Sequence, residues 1–103
     1  MALTRNSRHT VIERIRQDPA FAHTLLNEAQ TAFVQGEPAL ARLTLRDLVH
    51  GTIGFEGLAT AMQTPSKSLH RMLSARGNPR MDNLSMIFDV LRKEIERAAV
   101  IHP

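Results

Sequence analysis

Three pairs of a polar residue followed by proline divide this sequence into short segments: Asp18-Pro19, Glu37-Pro38 and Thr64-Pro65. Proline fits the first turn of a helix because the N–H group that it lacks would have no partner there. A side chain such as that of Asp or Thr just before the proline can accept hydrogen bonds from the free N–H groups that follow. Each pair therefore predicts the start of a helix. Helix ends are predicted at three glycines, Gly36, Gly51 and Gly77.

Between these breaks the apolar residues recur every three or four positions, which is the spacing of one helix face. Leu84, Ile87, Leu91 and Ile95 give a clear example. We find no alternation of apolar and polar residues of the kind that a half-buried strand shows. The sequence therefore predicts an all-α protein. The expected helices run roughly over 8–17, 19–35, 38–50, 55–62, 65–75 and 82–98.

The length of 103 residues suits one small domain. We expect an N-terminal helical pair over residues 1–36, which contacts either a partner or a second copy, and a compact helical remainder over 37–103. The sequence does not decide the structure of residues 98–103 at the end of the chain. Its run Ala98-Ala99-Val100-Ile101 suits the end of a helix, a short strand at a dimer contact, or a segment without regular structure.

Composition narrows the class of protein. The sequence contains no cysteine, which excludes disulfides and thiolate metal sites. No apolar run approaches the ~20 residues of a membrane span, and the first residues lack the apolar core of a signal peptide. We therefore expect a cytoplasmic protein without a membrane partner.

The residue types that carry catalysis or bind metals do not form a pattern. The five histidines have no His-x-x-x-His spacing and no neighbouring acid cluster. The sequence also lacks a G-x-S-x-G turn, a phosphate-binding glycine loop and an H-E-x-x-H helix. We predict no enzyme activity, no metal and no cofactor. The histidines in question are His9, His23, His50, His70 and His102.

The excess positive charge lies in one stretch of the chain. The formal net charge is +3, from 13 Lys and Arg against 10 Asp and Glu. Between Gly57 and Met81 there is no acidic residue. The cations of this acid-free window are Lys67, Arg71, Arg76 and Arg80. Since a solvated surface usually mixes both signs, a segregated positive stretch favours contact with a phosphate backbone.

The same window has the pattern of two short helices joined by a tight turn. Leu58, Ala59 and Met62 share one face of the first helix, and Leu69, Met72 and Leu73 share one face of the second. Ala59 stands ten residues before Leu69, and a small residue there lets the two helices cross closely. The spacing therefore predicts a helix-turn-helix, whose second helix is exposed enough to enter a major groove.

The stretch from Gly54-Phe55-Glu56-Gly57-Leu58-Ala59 through Pro65-Ser66-Lys67-Ser68-Leu69-His70-Arg71-Met72-Leu73-Ser74 to Gly77-Asn78-Pro79-Arg80-Met81-Asp82-Asn83-Leu84 resembles the Xre or phage-repressor type of helix-turn-helix. More narrowly, residues 38–95 resemble the HigA-like antitoxins, the addiction-module antidote proteins. The resemblance implies a lambda-repressor-like helix-turn-helix bundle, here with an N-terminal helical pair. Two positions depart from the family pattern: Phe55 stands where Gln is common, and Gln63 stands where Gly is common. The C-terminal tail, Glu94 to Pro103, also departs from the glycine-containing end expected for the family.

In such a motif the outward N-terminal side chains of the second helix meet base edges. Those predicted here are Ser66, Lys67 and Arg71. Side chains at the edge of the helix meet phosphate or water, and those are Thr64, Ser68 and His70. For Ser66 and Thr64, helix capping is the alternative role. The loop that follows adds expected backbone contacts from Arg76, Asn78 and Arg80.

The motif predicts a homodimeric repressor that binds a palindromic operator in double-stranded DNA and is associated with the nucleoid. The antitoxin resemblance implies a second partner, a small RelE/HigB-like toxin, typically a ribosome-dependent ribonuclease, which the chain would neutralise while repressing its own operon. Two alternatives remain open. One is a free-standing phage-type repressor without a toxin, and the other is a helical protein-interaction module that no longer binds DNA.

Overall fold

The computed structural model describes residues 5–101, and every regular element in that range is a helix, so the predicted all-α class is confirmed. The Cα radius of gyration is 13.0 Å, which is the value of a compact chain of about this length. The helices are α1 (Arg5–Gln17), α2 (Pro19–Val34), α3 (Pro38–Gly51), α4 (Gly54–Met62), α5 (Ser66–Met72) and α6 (Met81–Ile101).

The starts of α2 and α3 lie where the proline pairs predict them. An Oδ1 atom of Asp18 accepts a hydrogen bond of 3.1 Å from the N–H of Phe21, which caps α2. The side chain of Glu37 makes no such bond at the start of α3. Between the two helices the chain turns at Gly36, whose φ of +80° is available to glycine without steric cost. The capping of α2 by Asp18 and the turn at Gly36 thus involve only neighbouring residues, as the sequence predicts.

All six helices contribute to one hydrophobic core. Leu26 of α2, Leu48 of α3 and Leu91 of α6 are at most 1 % exposed and belong to a single cluster of buried side chains. The same cluster includes Ile15 of α1. The boundary predicted between residues 36 and 37 lies in the turn between α2 and α3. Buried side chains from both sides of this boundary meet in the core.

The close approach of α1 to α3 depends on the absence of a side chain at Gly51. A Cβ atom at this position would lie 2.6 Å from Cγ2 of Ile15 and 3.1 Å from the carbonyl oxygen of Ile12. Gly51 is therefore required for packing, since its φ is not in the left-handed region. The same pair of helices is joined by an ion pair of 2.6 Å between Arg8 and Asp47, whose side chain is 12 % exposed.

Three helices differ from their predicted ranges by three residues at one end, and one of these is α1, expected over 8–17, which begins at Arg5. The helix expected over 65–75 is α5, which begins at Ser66 and ends at Met72. It ends early because the chain folds back tightly, so that a Cβ at Gly77 would lie 2.0 Å from the carbonyl oxygen of Met72. The helix expected over 82–98 is α6, which continues to Ile101. The strand alternative for the end of the chain is therefore wrong as far as Ile101, and residues 102 and 103 lie outside the described range.

Within residues 5–101 no helix combines the length and the apolar character that a membrane crossing would need.

Candidate nucleic-acid interface

Helices α4 and α5 form the two arms of the predicted motif, with their apolar faces turned inward. Leu58 and Met62 of α4 are buried, and so are Leu69 of α5 and Leu73, which follows it. Ala59 and Met72 are half-buried against the same core, as the pattern predicts. Because one face of α5 is fixed in the core, its opposite face is held towards the outside.

The turn between these helices keeps its geometry without a glycine. Gln63 has φ 51° and ψ 45°, the left-handed conformation in which the glycine of such a turn is normally found. The N–H of Thr64 bonds the carbonyl oxygen of Ala59 at 3.1 Å, and the N–H of Gln63 bonds that of Thr60 at 3.3 Å. These two bonds close the end of α4. Gln63 therefore gives the turn the same shape as a glycine would, but at a higher conformational free energy.

The second departure, Phe55, belongs to the core and not to the outer surface. Its side chain is 5 % exposed, and its ring packs between two histidines. An aromatic residue at the start of α4 is therefore used for packing.

The capping role considered for Thr64 and Ser66 is wrong. Pro65, with φ −58° and ψ 137°, precedes the first helical residue of α5, and no side chain caps this helix. Thr64 lies one residue further from the helix, and its hydroxyl donates to the carbonyl oxygen of Met62 at 3.0 Å. The hydroxyl of Thr64 is thus engaged at the end of α4 and not at the start of α5.

The outward face of α5 carries Lys67 and Arg71, which are exposed and one helical turn apart. Ser66 and Ser68 flank Lys67 and are half-buried. The nearby His70 is exposed, but one face of its ring lies on Phe55. Lys67 and Arg71 are thus exposed on α5, while His70 of the same helix has one ring face covered by Phe55.

The loop from Leu73 to Arg80 holds the remaining residues for which backbone contacts are predicted. Arg76 and Arg80 are exposed. Asn78 is also exposed, but it borders a small hollow of about 60 Å³ that Phe33 and Pro38 line as well. Asn78 is therefore positioned beside the turn between α2 and α3.

Ion pairing divides the cations among the described residues into two groups. Six cations make ion pairs with carboxylates. The four cations of the acid-free window make none within residues 5–101. The paired cations are Arg8, Arg14, Arg16, Arg92, Lys93 and Arg97.

Arg42 is a positioning residue that sequence reasoning missed. Its Nε donates to the carbonyl oxygen of Ser74 at 3.1 Å, and its Nη2 donates to that of Ala75 at 2.9 Å. These carbonyls follow the end of α5, so Arg42 attaches the loop that carries Arg76 to the side of α3. No signal in the sequence connects two segments that are 32 residues apart.

Two histidines that look unrelated in the sequence meet beside α5. The ring centroids of His50 and His70 are 6.5 Å apart. Partial burial lowers the pKa of His50, and the positive fields of His70 and Arg46 lower it further, while Asp47 acts weakly in the opposite direction. Burial is the largest of these causes, and the positive charges around His50 add to it.

Arg46 is a second residue that the sequence did not single out. It is half-buried on α3, outside the acid-free window, and it makes no ion pair with any described residue. It therefore adds to the unpaired positive charge on the side of α3 that lies near His50.

Comparisons of the chain with protein-family models, with curated proteins and with solved structures found no match.

Proposed function

We propose that this chain is a sequence-specific DNA-binding regulator that represses transcription. The observation that carries the proposal is the unpaired charge: the four cations of the acid-free window are exposed and make no ion pair within residues 5–101. A surface of one sign attracts a polyanion, and the phosphates of duplex DNA would supply the missing negative charge. Lys67 and Arg71 on the outward face of α5 are the residue types that bind guanine O6 and N7 in the major groove.

The proposal includes a homodimer. A recognition helix of seven residues meets only a few base pairs, and one copy would therefore bind many sites in a genome. Two copies on a palindromic operator, with recognition helices about 34 Å apart, would double the sequence that is read.

We also propose that the chain binds a toxin, because residues 38–95 resemble the HigA-like antitoxins. The expected partner is a RelE/HigB-like toxin that the chain binds and neutralises while it represses the shared operon. Phe33 and Val34 at the end of α2 are 39 % and 81 % exposed. Exposed apolar side chains of this kind favour a protein contact, and they lie in the segment that we expect to meet the toxin or a second copy.

A mobility-shift assay tests the DNA-binding part of the proposal. The probe is the DNA immediately upstream of the chain's own coding sequence, with a scrambled duplex of equal length as competitor. We expect the unmodified chain to shift the probe and the double variant Lys67→Ala, Arg71→Ala to lose the shift. The expected affinity falls with salt, with a log–log slope of about −0.9 for each phosphate that is neutralised.

The matched control for this experiment is the double variant Arg92→Ala, Arg97→Ala. It removes the same number of charges, but from α6, where both side chains are paired with carboxylates. The control is expected to bind DNA as the unmodified chain does. Equal binding by the Lys67→Ala, Arg71→Ala variant and its control would contradict the role given to α5.

The proposed toxin binding is tested by co-expressing this chain with the product of the adjacent coding sequence. We expect that product to arrest growth alone, and this chain to restore growth and to co-purify with it. DNA binding without any such partner would instead support the free-standing phage-type repressor.

The alternative of an interaction module without DNA binding rests on the departures at Phe55 and Gln63. Phe55 is used in the core and Gln63 adopts the turn conformation of a glycine, so neither residue argues against the motif. If the chain shifted no fragment of its upstream DNA, that alternative would be favoured.

A further inference from the structure

We propose that Arg46 of α3 contacts a DNA phosphate beside the groove that α5 enters, as a second contact element outside the helix-turn-helix. The inference rests on the proposed DNA binding and extends it to a helix that precedes the motif. Arg46 lies outside the acid-free window, so charge patterning along the sequence does not indicate it.

Arg46 lies on a ridge of α3 that passes beside α5. Arg42, Arg46 and His50 are spaced four residues apart, so their side chains form one ridge along the helix. At one end of this ridge, Arg42 hydrogen-bonds the two carbonyls that follow α5. At the other end, His50 lies 6.5 Å from His70 of α5, measured between ring centroids. Arg46 is therefore on the side of α3 that runs beside α5.

The guanidinium of Arg46, a half-buried residue, has no carboxylate partner among the described residues. Its neighbour Asp47 is turned inward and paired with Arg8, with an N–O distance of 2.6 Å. The acid closest to Arg46 in the sequence is thus already engaged, and the guanidinium is free to bind an anion.

The part of DNA that Arg46 is placed to contact is a phosphate and not a base. Arg46 lies on the helix beside α5, whereas bases are reached by side chains on the outward face of α5 itself. The phosphates of the two strands form the walls of the groove. A side chain next to the recognition helix meets such a wall, and a guanidinium forms strong charge-assisted hydrogen bonds to its oxygens.

Fluorescence anisotropy over a salt series tests this inference, with two labelled duplexes: the DNA upstream of the coding sequence and a scrambled duplex of equal composition. Because a phosphate contact does not depend on sequence, we expect Arg46→Ala to weaken binding to both duplexes by the same factor. That factor is about eightfold at 0.1 M salt, and the log–log salt slope becomes shallower by about 0.9.

Further variants separate this role from changes in folding. Arg46→Gln retains most of the aliphatic stem and is expected to show the same loss as Arg46→Ala. Arg46→Lys retains the charge and is expected to keep most of the affinity. Arg92→Ala serves as the matched control, since it removes a cation that Asp89 and Glu96 already neutralise.

The outcomes distinguish this inference from the proposed function. If Arg46→Ala and Arg46→Gln are folded and bind with unchanged affinity and slope, while Lys67→Ala, Arg71→Ala does not bind, the inference is overturned and the proposed function stands. A loss confined to the upstream duplex would overturn the assignment to phosphate. If the unmodified chain binds neither duplex, the proposed function fails and the inference fails with it.

Discussion

The ring of His70 lies on the ring of Phe55, with centroids 3.8 Å apart and planes inclined by 18°. His50 meets the same phenyl ring edge-on at 5.1 Å. Phe55 is 5 % exposed while both histidines are exposed, so this ring joins the core to the outer surface. The cluster thus connects α3, α4 and α5 at the outer surface.

Replacing Phe55 tests how much this cluster stabilises the fold. Phe55→Leu retains an apolar side chain but removes both ring contacts. We expect a loss of about 2 kcal/mol, from the smaller core volume together with the aromatic pairs. Urea unfolding measures it. The matched control is Phe88→Leu, a half-buried position on α6 with no ring contact among the described residues. If both variants lost the same stability, the ring contacts would have no measurable effect.

The lowered pKa of His50 predicts a pH dependence of folding. The unfolded chain binds a proton at this residue near pH 6.5, whereas the folded chain binds it only at lower pH. Stability therefore decreases as the pH falls below about 6.5, and the decrease ends once the folded form is protonated too. His50→Gln should lose less stability than the unmodified chain between pH 8 and pH 5, measured by urea unfolding at each pH. Parallel curves for the two proteins would refute this.

The left-handed conformation of Gln63 predicts a stabilising substitution. A residue with a Cβ atom is strained at φ 51°, and glycine is not. After allowance for the greater freedom of glycine in the unfolded chain, Gln63→Gly is expected to stabilise the fold by about 0.5–1 kcal/mol. Thermal unfolding should show a rise of a few degrees. Gln63→Ala keeps the strain and serves as the control; an equal rise for both variants would contradict the argument.

The two hydrogen bonds of Arg42 predict that this residue orders the loop after α5. Arg42→Ala removes the guanidinium from both carbonyls, of which that of Ser74 keeps the N–H of Gly77 and that of Ala75 can turn to water, at an expected cost of about 1 kcal/mol. We also expect faster hydrogen exchange at the N–H of Gly77, which bonds the carbonyl of Ser74 at 3.0 Å. Arg97→Ala, which removes an exposed pair on α6, should cost less than about 0.5 kcal/mol and leave that exchange rate unchanged. Unchanged exchange in Arg42→Ala would show that the loop is held by other contacts.

Much of the fold is determined by the sequence through local rules. The pairs Asp18-Pro19 and Glu37-Pro38 place the starts of α2 and α3, because proline geometry and capping involve only neighbouring residues. The inward faces of α4 and α5 follow from helical periodicity, which is also a local property. The acid-free window can be read directly from the order of the residues. The sequence by itself therefore determined the helices, their inner faces and where the excess charge lies.

The tertiary structure alone decided which distant residues meet. Arg8 reaches Asp47 across 39 residues, and Arg42 reaches the end of α5 across 32. The fit of Gly51 against Ile15 and the meeting of His50 with His70 likewise depend on how the helices cross. Such contacts are set by the packing of whole side chains between helices, and no spacing along the chain encodes them. For that reason the unpaired Arg46 was found only in the folded chain.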